Sequence, residues 1–203
     1  MRPLPFIAAL ILALAAPACG PRRLPGPRAA ADADGGWRTL RAEHLVTVDS
    51  AGKGGRERRT MRAVIAVARP DRFRLRALGP AGITLFDLLY RGGEVTVLRA
   101  LRDPSSSDLL GRVIAAMAGD LAAAYGLGPS PPGRTVERGP DRLVVREPGR
   151  EVQLDDFFRL GGKVTAARIT VDNRQIDYRV EVVVSEVVLD EALSEELFTL
   201  PSP

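Results

Sequence analysis

Apolar and polar residues alternate along most of this chain, and the alternation is clearest between Pro70 and Leu101. After a turn at Pro70-Asp71, Phe73, Leu75 and Ala77 fall on one face, and Arg72, Arg74 and Arg76 fall on the other. A period of two is expected of a strand with one buried and one wet side. The run Gly79-Pro80-Ala81-Gly82 then breaks the pattern, since neither a helix nor a central strand tolerates it. An apolar strand from Ile83 to Tyr90, a turn at Arg91-Gly92-Gly93 and a strand from Glu94 to Leu101 complete an antiparallel meander.

Other strands flank this unit. Leu40, Ala42, His44, Val46 and Val48 share one face. A polar loop from Asp49 to Arg59 closes a hairpin, and Met61, Ala63, Ile65 and Val67 alternate on the return. After Asp103-Pro104-Ser105-Ser106-Ser107 the period changes. Leu110, Val113, Ile114, Met117, Leu121 and Ala124 recur at helical spacing, with Ser107 as N-cap, Asp108 in the first turn and Gly126 as the stop. A Pro-rich loop, Gly128 to Gly133, leads back to strands. These are marked by Leu143 and Val145, by Val152 and Leu154, by Val164 to Val171 before a turn at Asp172-Asn173, and by Ile176, Tyr178, Val180, Val182 and Val184. Glu191 to Pro203 reads as a short helical turn and an extended tail. Many antiparallel strands with one internal helix predict a mainly β fold: a twisted, curled sheet with the helix covering its open side.

Composition narrows the function more than it names it. The chain has 203 residues and a net charge of +4, and its basic residues are nearly all Arg, with Lys53 and Lys163 the only lysines. They are spread along the whole sequence, whereas a nucleic-acid surface would concentrate them with aromatics, so no nucleic-acid partner is expected. The stripe of Arg72, Arg74 and Arg76 is either a solvated sheet face or a contact for anionic headgroups. His44 is the single histidine and lies on an apolar strand face, where a structural hydrogen bond is the expected role. With no second His and one Cys, no metal site and no internal disulfide are expected. Ser105 to Ser107 read as capping residues, and Asp155-Asp156 and Glu195-Glu196 are sequence neighbours whose side chains point apart. The sequence therefore predicts no catalytic residues, no cofactor and no enzymatic activity.

The N-terminus carries a processing signal. Arg2 precedes an apolar run, Leu4 to Ala16, which is short for a membrane span, and Ala16-Pro17-Ala18 supplies small residues for cleavage. Residues 1–18 read as a signal peptide, 19–36 as a Cys followed by a flexible linker rich in Pro, Gly, Ala and Arg, and 37–203 as the folded domain. Leu14-Ala15-Ala16-Pro17-Ala18-Cys19-Gly20 resembles the lipobox of bacterial lipoproteins. That resemblance implies cleavage before Cys19 and lipidation of its thiol, which anchors the chain to a membrane. Gly20 in place of Asp implies the outer membrane, with the domain facing the periplasm.

The order of elements resembles the lipoprotein-carrier superfamily of LolA and LolB. Arg72-Phe73-Arg74-Leu75 followed by Leu78-Gly79-Pro80-Ala81-Gly82-Ile83-Thr84 is similar to a strand, protruding loop and strand of LolB, and Leu197-Phe198-Thr199-Leu200-Pro201 resembles the closing segment of related lipoproteins. The resemblance implies an incomplete antiparallel β-barrel with a helical lid over an apolar cavity. It also implies acyl chains of lipid or lipoprotein as ligand, a periplasmic carrier protein as partner, and transfer without chemistry. On that reading the sheet lines the cavity with Phe73, Leu75, Leu85, Val95, Val97, Tyr178, Val180 and Val182, and the helix adds Leu110, Ile114, Met117 and Leu121. The loop Gly79, Pro80, Ala81, Gly82 and Ile83 would meet the membrane. LolB presents a leucine there, and Ala81 stands at the matching position, with Ile83 and Leu78 adjoining the strands. Two alternatives stay open: that the apolar residues close on one another as an ordinary core, and that the domain is an envelope scaffold that binds a protein partner without lipid.

Overall fold

The computed structural model describes residues 26–31, 35–52, 55–100 and 109–200. Ten strands form one antiparallel sheet. The first five are β1 (Thr39–Gly52), β2 (Gly55–Ala68), β3 (Arg72–Leu78), β4 (Thr84–Arg91) and β5 (Glu94–Ala100). After helix α1 (Leu109–Ala124) come β6 (Thr135–Arg138), β7 (Arg142–Glu147), β8 (Arg150–Leu160), β9 (Lys163–Asn173) and β10 (Tyr178–Leu189). The spatial order is β5-β4-β3-β2-β1-β10-β9-β8-β7-β6, so β5 and β6 are both free edges and the barrel stays open. Every neighbour is a hairpin partner except β1 and β10, which join the two halves, with Leu40 opposite Leu189 and Ser50 opposite Tyr178.

The predicted mainly β, incomplete barrel with a covering helix is the fold observed. Helix α1 lies against β3, β4 and β5 on one side and β8 and β9 on the other. It ends as its sequence requires. Gly126 adopts φ 76°, its N–H reaches the Ala123 carbonyl at 3.0 Å, and the Leu127 N–H reaches the Ala122 carbonyl at 3.0 Å. Only Gly takes that left-handed step without strain. The inner face of the sheet and the buried stripe of α1 form one apolar core, and a second, small cluster sits on the outer face around Ala66, Ala68, Leu89 and Phe198.

Several boundaries differ from the sequence reading. The polar stretch expected as a loop from Asp49 to Arg59 is strand nearly to the tip, with Ser50 opposite Glu57 and Ala51 opposite Arg56. Backbone pairing extends where both faces are wet because ladder bonds need no buried side chain, and Arg56 reinforces it with ion pairs to Asp49 and Asp177, each 2.9 Å. The turn expected at Asp172-Asn173 falls later, between Asn173 and Tyr178. The short edge strand β6 has no alternation long enough to reveal it. The expected linker is partly packed as well. The Ala29 N–H donates to the Phe157 carbonyl at 2.9 Å, the Arg159 N–H donates to the Pro27 carbonyl at 2.8 Å, and Ala31 is buried. Residues 27–29 thus line the stretch of β8 that β7 does not reach. Gly26 lies so close to this strand that a Cβ would stand 2.3 Å from the Arg159 carbonyl oxygen. The signal peptide and Cys19 lie outside the described residues.

Candidate functional site

The candidate site is the inner face of the sheet under α1. Phe73, Leu75, Tyr178, Val180 and Val182 project from it, and Met117 and Leu121 descend from the helix; each is at most 1 % exposed. These side chains pack into the space between sheet and helix. Leu85, Val95 and Ile114 are half-buried against the same core. Val97 faces the same side, opposite Leu88, yet is 36 % exposed because β5 is an edge. Leu110 stands in the first turn of α1, and its side chain lies outside the described residues. Apart from Leu110 and the edge residue Val97, the structure therefore gathers the expected lining residues on one face, in a closed arrangement.

Two clefts stand out among the described residues. The larger, about 320 Å³, is on the polar outer face between β7 and β10, lined by Asp155, Asp156, Arg168, Arg179 and Glu181 among others. The smaller, about 40 Å³, lies where the end of α1 meets β7 and β8. Ligand pockets for small molecules run to roughly 300–1,000 Å³ and are mostly apolar, so neither is an open acyl cavity.

Polar groups bolt the second half of the helix to the sheet. Asp120 accepts hydrogen bonds from Asn173 Nδ2 at 2.8 Å, from Arg150 and from the Tyr178 hydroxyl. Arg150 also pairs with Glu147. Burial first, then the Asp120 charge, raises the Tyr178 phenol well above its ordinary range. One turn on, the Tyr125 hydroxyl lies 2.9 Å from His44 Nε2, and His44 Nδ1 lies 3.3 Å from the Ala42 carbonyl. A carbonyl only accepts, so Nδ1 carries the proton and Nε2 accepts from Tyr125. Burial lowers the His44 pKa to about 4, which the Ala42 carbonyl offsets only in part, and burial raises the Tyr125 phenol. Arg69 stacks 3.8 Å over the Trp37 ring and donates to the Tyr125 carbonyl at 3.3 Å. The sequence reading missed Asp120. Its signal was a carboxylate set between Met117, Leu121 and Ala124 on the apolar stripe, where a charge stays only if it is paired.

The arginines of β3 are all paired with acidic groups on the outer face. Arg74 donates to both carboxylate oxygens of Asp87, at 2.9 and 2.8 Å, and Arg76 donates to the same group at 3.0 Å. Burial alone would raise the Asp87 pKa, but the two guanidinium groups outweigh it and hold the carboxyl below its usual range. Arg74 also donates to the Leu197 carbonyl, while Arg72 pairs with Glu195 and lies 5.2 Å from the Phe198 ring. The C-terminal tail thus straps the outer face of β3.

The loop Gly79 to Ile83 forms a tight knuckle between β3 and β4. The Gly79 N–H bonds the Ile83 carbonyl at 2.8 Å, and Ala81 holds φ 57°. Pro80, Ala81, Gly82 and Ile83 are all exposed. Ile83, in extended conformation between the turn and β4, is 55 % exposed. Among the described residues no cluster of three or more His, Cys, Asp or Glu is placed to hold a metal ion, and no helix is long and apolar enough to cross a membrane.

The sequence profile of a family described as "Protein of unknown function (DUF3261)" matches residues 41–186. No curated protein matches the chain. A solved LolA superfamily protein from Nitrosomonas europaea is similar in fold, with a TM-score of 0.51 at 11 % identity over 80 % of this chain and 90 % of that one. A putative outer membrane lipoprotein-sorting protein domain from Vibrio parahaemolyticus aligns with a TM-score of 0.44 at 12 % identity, over 82 % and 91 % of the two chains. A DUF1329 family protein from Desulfovibrio piger gives 0.40 at 14 % identity, over 82 % and 91 %.

Proposed function

From a chain that belongs to the DUF3261 family and folds as a LolA-like open barrel, we propose a membrane-anchored envelope lipoprotein that binds acyl chains of lipid or lipoprotein on its inner face. The observation that carries this reading is the open ten-stranded sheet with an apolar inner side under a single helix. Shielding an acyl chain from water is worth about 0.8 kcal/mol per methylene, and such a surface needs few polar anchors. Cys19 supplies the lipid anchor, and Gly20 directs it to the outer membrane, facing the periplasm. A periplasmic carrier is the natural donor of cargo. No chemistry is done on the ligand, and no cofactor is used.

The finer, LolB-like role rests on the knuckle Gly79 to Ile83. With Ala81 at the position of the LolB leucine, Ile83 supplies the outward apolar side chain. In cells depleted of their own LolB, wild-type protein is expected to rescue poorly and Ala81→Leu better. Full rescue by wild type that survives Ile83→Glu and Ala81→Glu removes the loop from the mechanism. The anchor is read separately, as acyl mass on the first mature residue, which Cys19→Ser abolishes.

The filled inner face favours a second reading, in which the helix never leaves and the domain is an envelope scaffold. Displacement of a fluorescent fatty acid by phospholipid separates the two. A carrier gives saturable, competable binding that Met117→Glu weakens, since a buried unpaired charge is costly. A scaffold gives none.

A further inference from the structure

Under α1 the packing is closed, but at its C-terminal end it is not. Ala123 and Ala124 face Leu143, Val145, Val152 and Leu154 across the cleft of about 40 Å³. The alanines leave the gap, since their side chains are too short to reach β7 and β8. Arg134 and Glu147 stand at its rim. Glu147 pairs with Arg150, which it shares with Asp120, whereas Arg134 meets no carboxylate among the described residues and donates to the Ser130 hydroxyl at 2.7 Å. The rim therefore sets one guanidinium without a carboxylate partner above an apolar floor.

We propose that this cleft is the mouth of the lipid site, and that its occupant is a single acyl chain with an anionic head held by Arg134. The inference rests on the lipid-binding reading above and locates it away from the residues that the sequence pointed to. The helix beside the mouth is fixed, because Asp120 and Tyr125 are held by buried hydrogen bonds that a hydrocarbon cannot replace. The opposite wall is the compliant one. β6 has four residues, all exposed, and pairs only with β7 at the sheet edge. An entering chain widens the cleft by shifting β6 and β7, and it exchanges apolar contacts for apolar contacts.

The test uses full-length mature protein and a fluorescent fatty acid, with the matching fatty alcohol as the uncharged probe. Ala124→Leu, which fills the cleft, is expected to weaken both probes about tenfold or more. Arg134→Gln is expected to weaken the acid about threefold and leave the alcohol unchanged, as suits an exposed charge-assisted contact. Because Ala124→Leu could disturb packing, a photoreactive acyl probe on wild-type protein gives an independent map, expected to label 123–124 and 143–154. Tight binding with both variants like wild type, or labelling confined to β4 and β5, overturns the mouth while keeping lipid binding. No binding of either probe by wild type overturns the lipid-binding reading itself, and the mouth with it.

Discussion

Successive residues of β3 point to opposite sides of the sheet, and the two sides hold the molecule together differently. Inward, Phe73, Leu75 and Ala77 belong to the apolar core, which is held mainly by non-directional burial. Outward, Arg74 and Arg76 converge on Asp87, a carboxylate with a 6 % exposed side chain, and the tail reaches the same face through the Leu197 carbonyl on Arg74 and the Phe198 ring beside Arg72. An apolar neighbour can be exchanged for another apolar group of similar size. An ion-pair cluster admits no such exchange, because Arg74 or Asp87 left alone is a largely buried charge. A sheet that carries lipid can therefore use its inner side as the variable surface and its outer side as the frame.

Truncation should hurt both sides. Phe73→Ala is expected to cost about 3–5 kcal/mol through the cavity it leaves. Arg74→Met is expected to cost about 1.5–3 kcal/mol, because Asp87 loses its two-pronged partner and keeps only the half-exposed Arg76. Urea unfolding reads both. If Arg74→Met proves neutral, the outer face is not a frame and the contrast between the sides disappears. The His44–Tyr125 bond tests the junction of helix and sheet by pH. The folded-state pKa of about 4 lies below the ordinary 6.5, so the unfolded chain takes up the proton first as pH falls. Stability from this group is complete above about pH 6.5 and declines toward pH 4, by about 3 kcal/mol at most. His44→Gln should flatten urea midpoints across that window, and an unchanged slope would place the acid sensitivity elsewhere.

Much of this arrangement was legible in the sequence. The meander, the helix with its Gly126 stop and the sidedness of β1, β2 and β10 follow from periods of two and 3.6, which depend only on which face is buried. Less legible was whatever depends on long-range pairing. Nothing local says that Arg74 and Arg76 would meet Asp87 on the next strand, that Asp120 would meet Tyr178, or that residues 27–29 would line the end of β8. The candidate lining residues whose side chains are described lie on the core side of the sheet and helix. Whether that face is hollow is decided by how closely side chains from separate elements approach, which alternation does not encode.

Smaller effects sharpen the contrast. Leu75→Met on the inner face should cost less than about 1.5 kcal/mol, as volume-conserving apolar swaps do. On the open outer face, Arg146 pairs with Glu151 at 2.8 Å and with Glu137, but it is 45 % exposed. Arg146→Ala should leave the urea midpoint nearly unchanged, and any small difference should vanish in high salt. A larger, salt-resistant loss there would extend the frame across β6 to β8.

Native mass spectrometry of gently purified protein puts the central claim most directly. If the inner face takes acyl chains, part of the population carries one lipid, which is lost on adding excess fatty acid and reduced by Met117→Glu. A population that is entirely lipid-free, and stays so after incubation with phospholipid vesicles, contradicts lipid binding and leaves the packed inner face as a core.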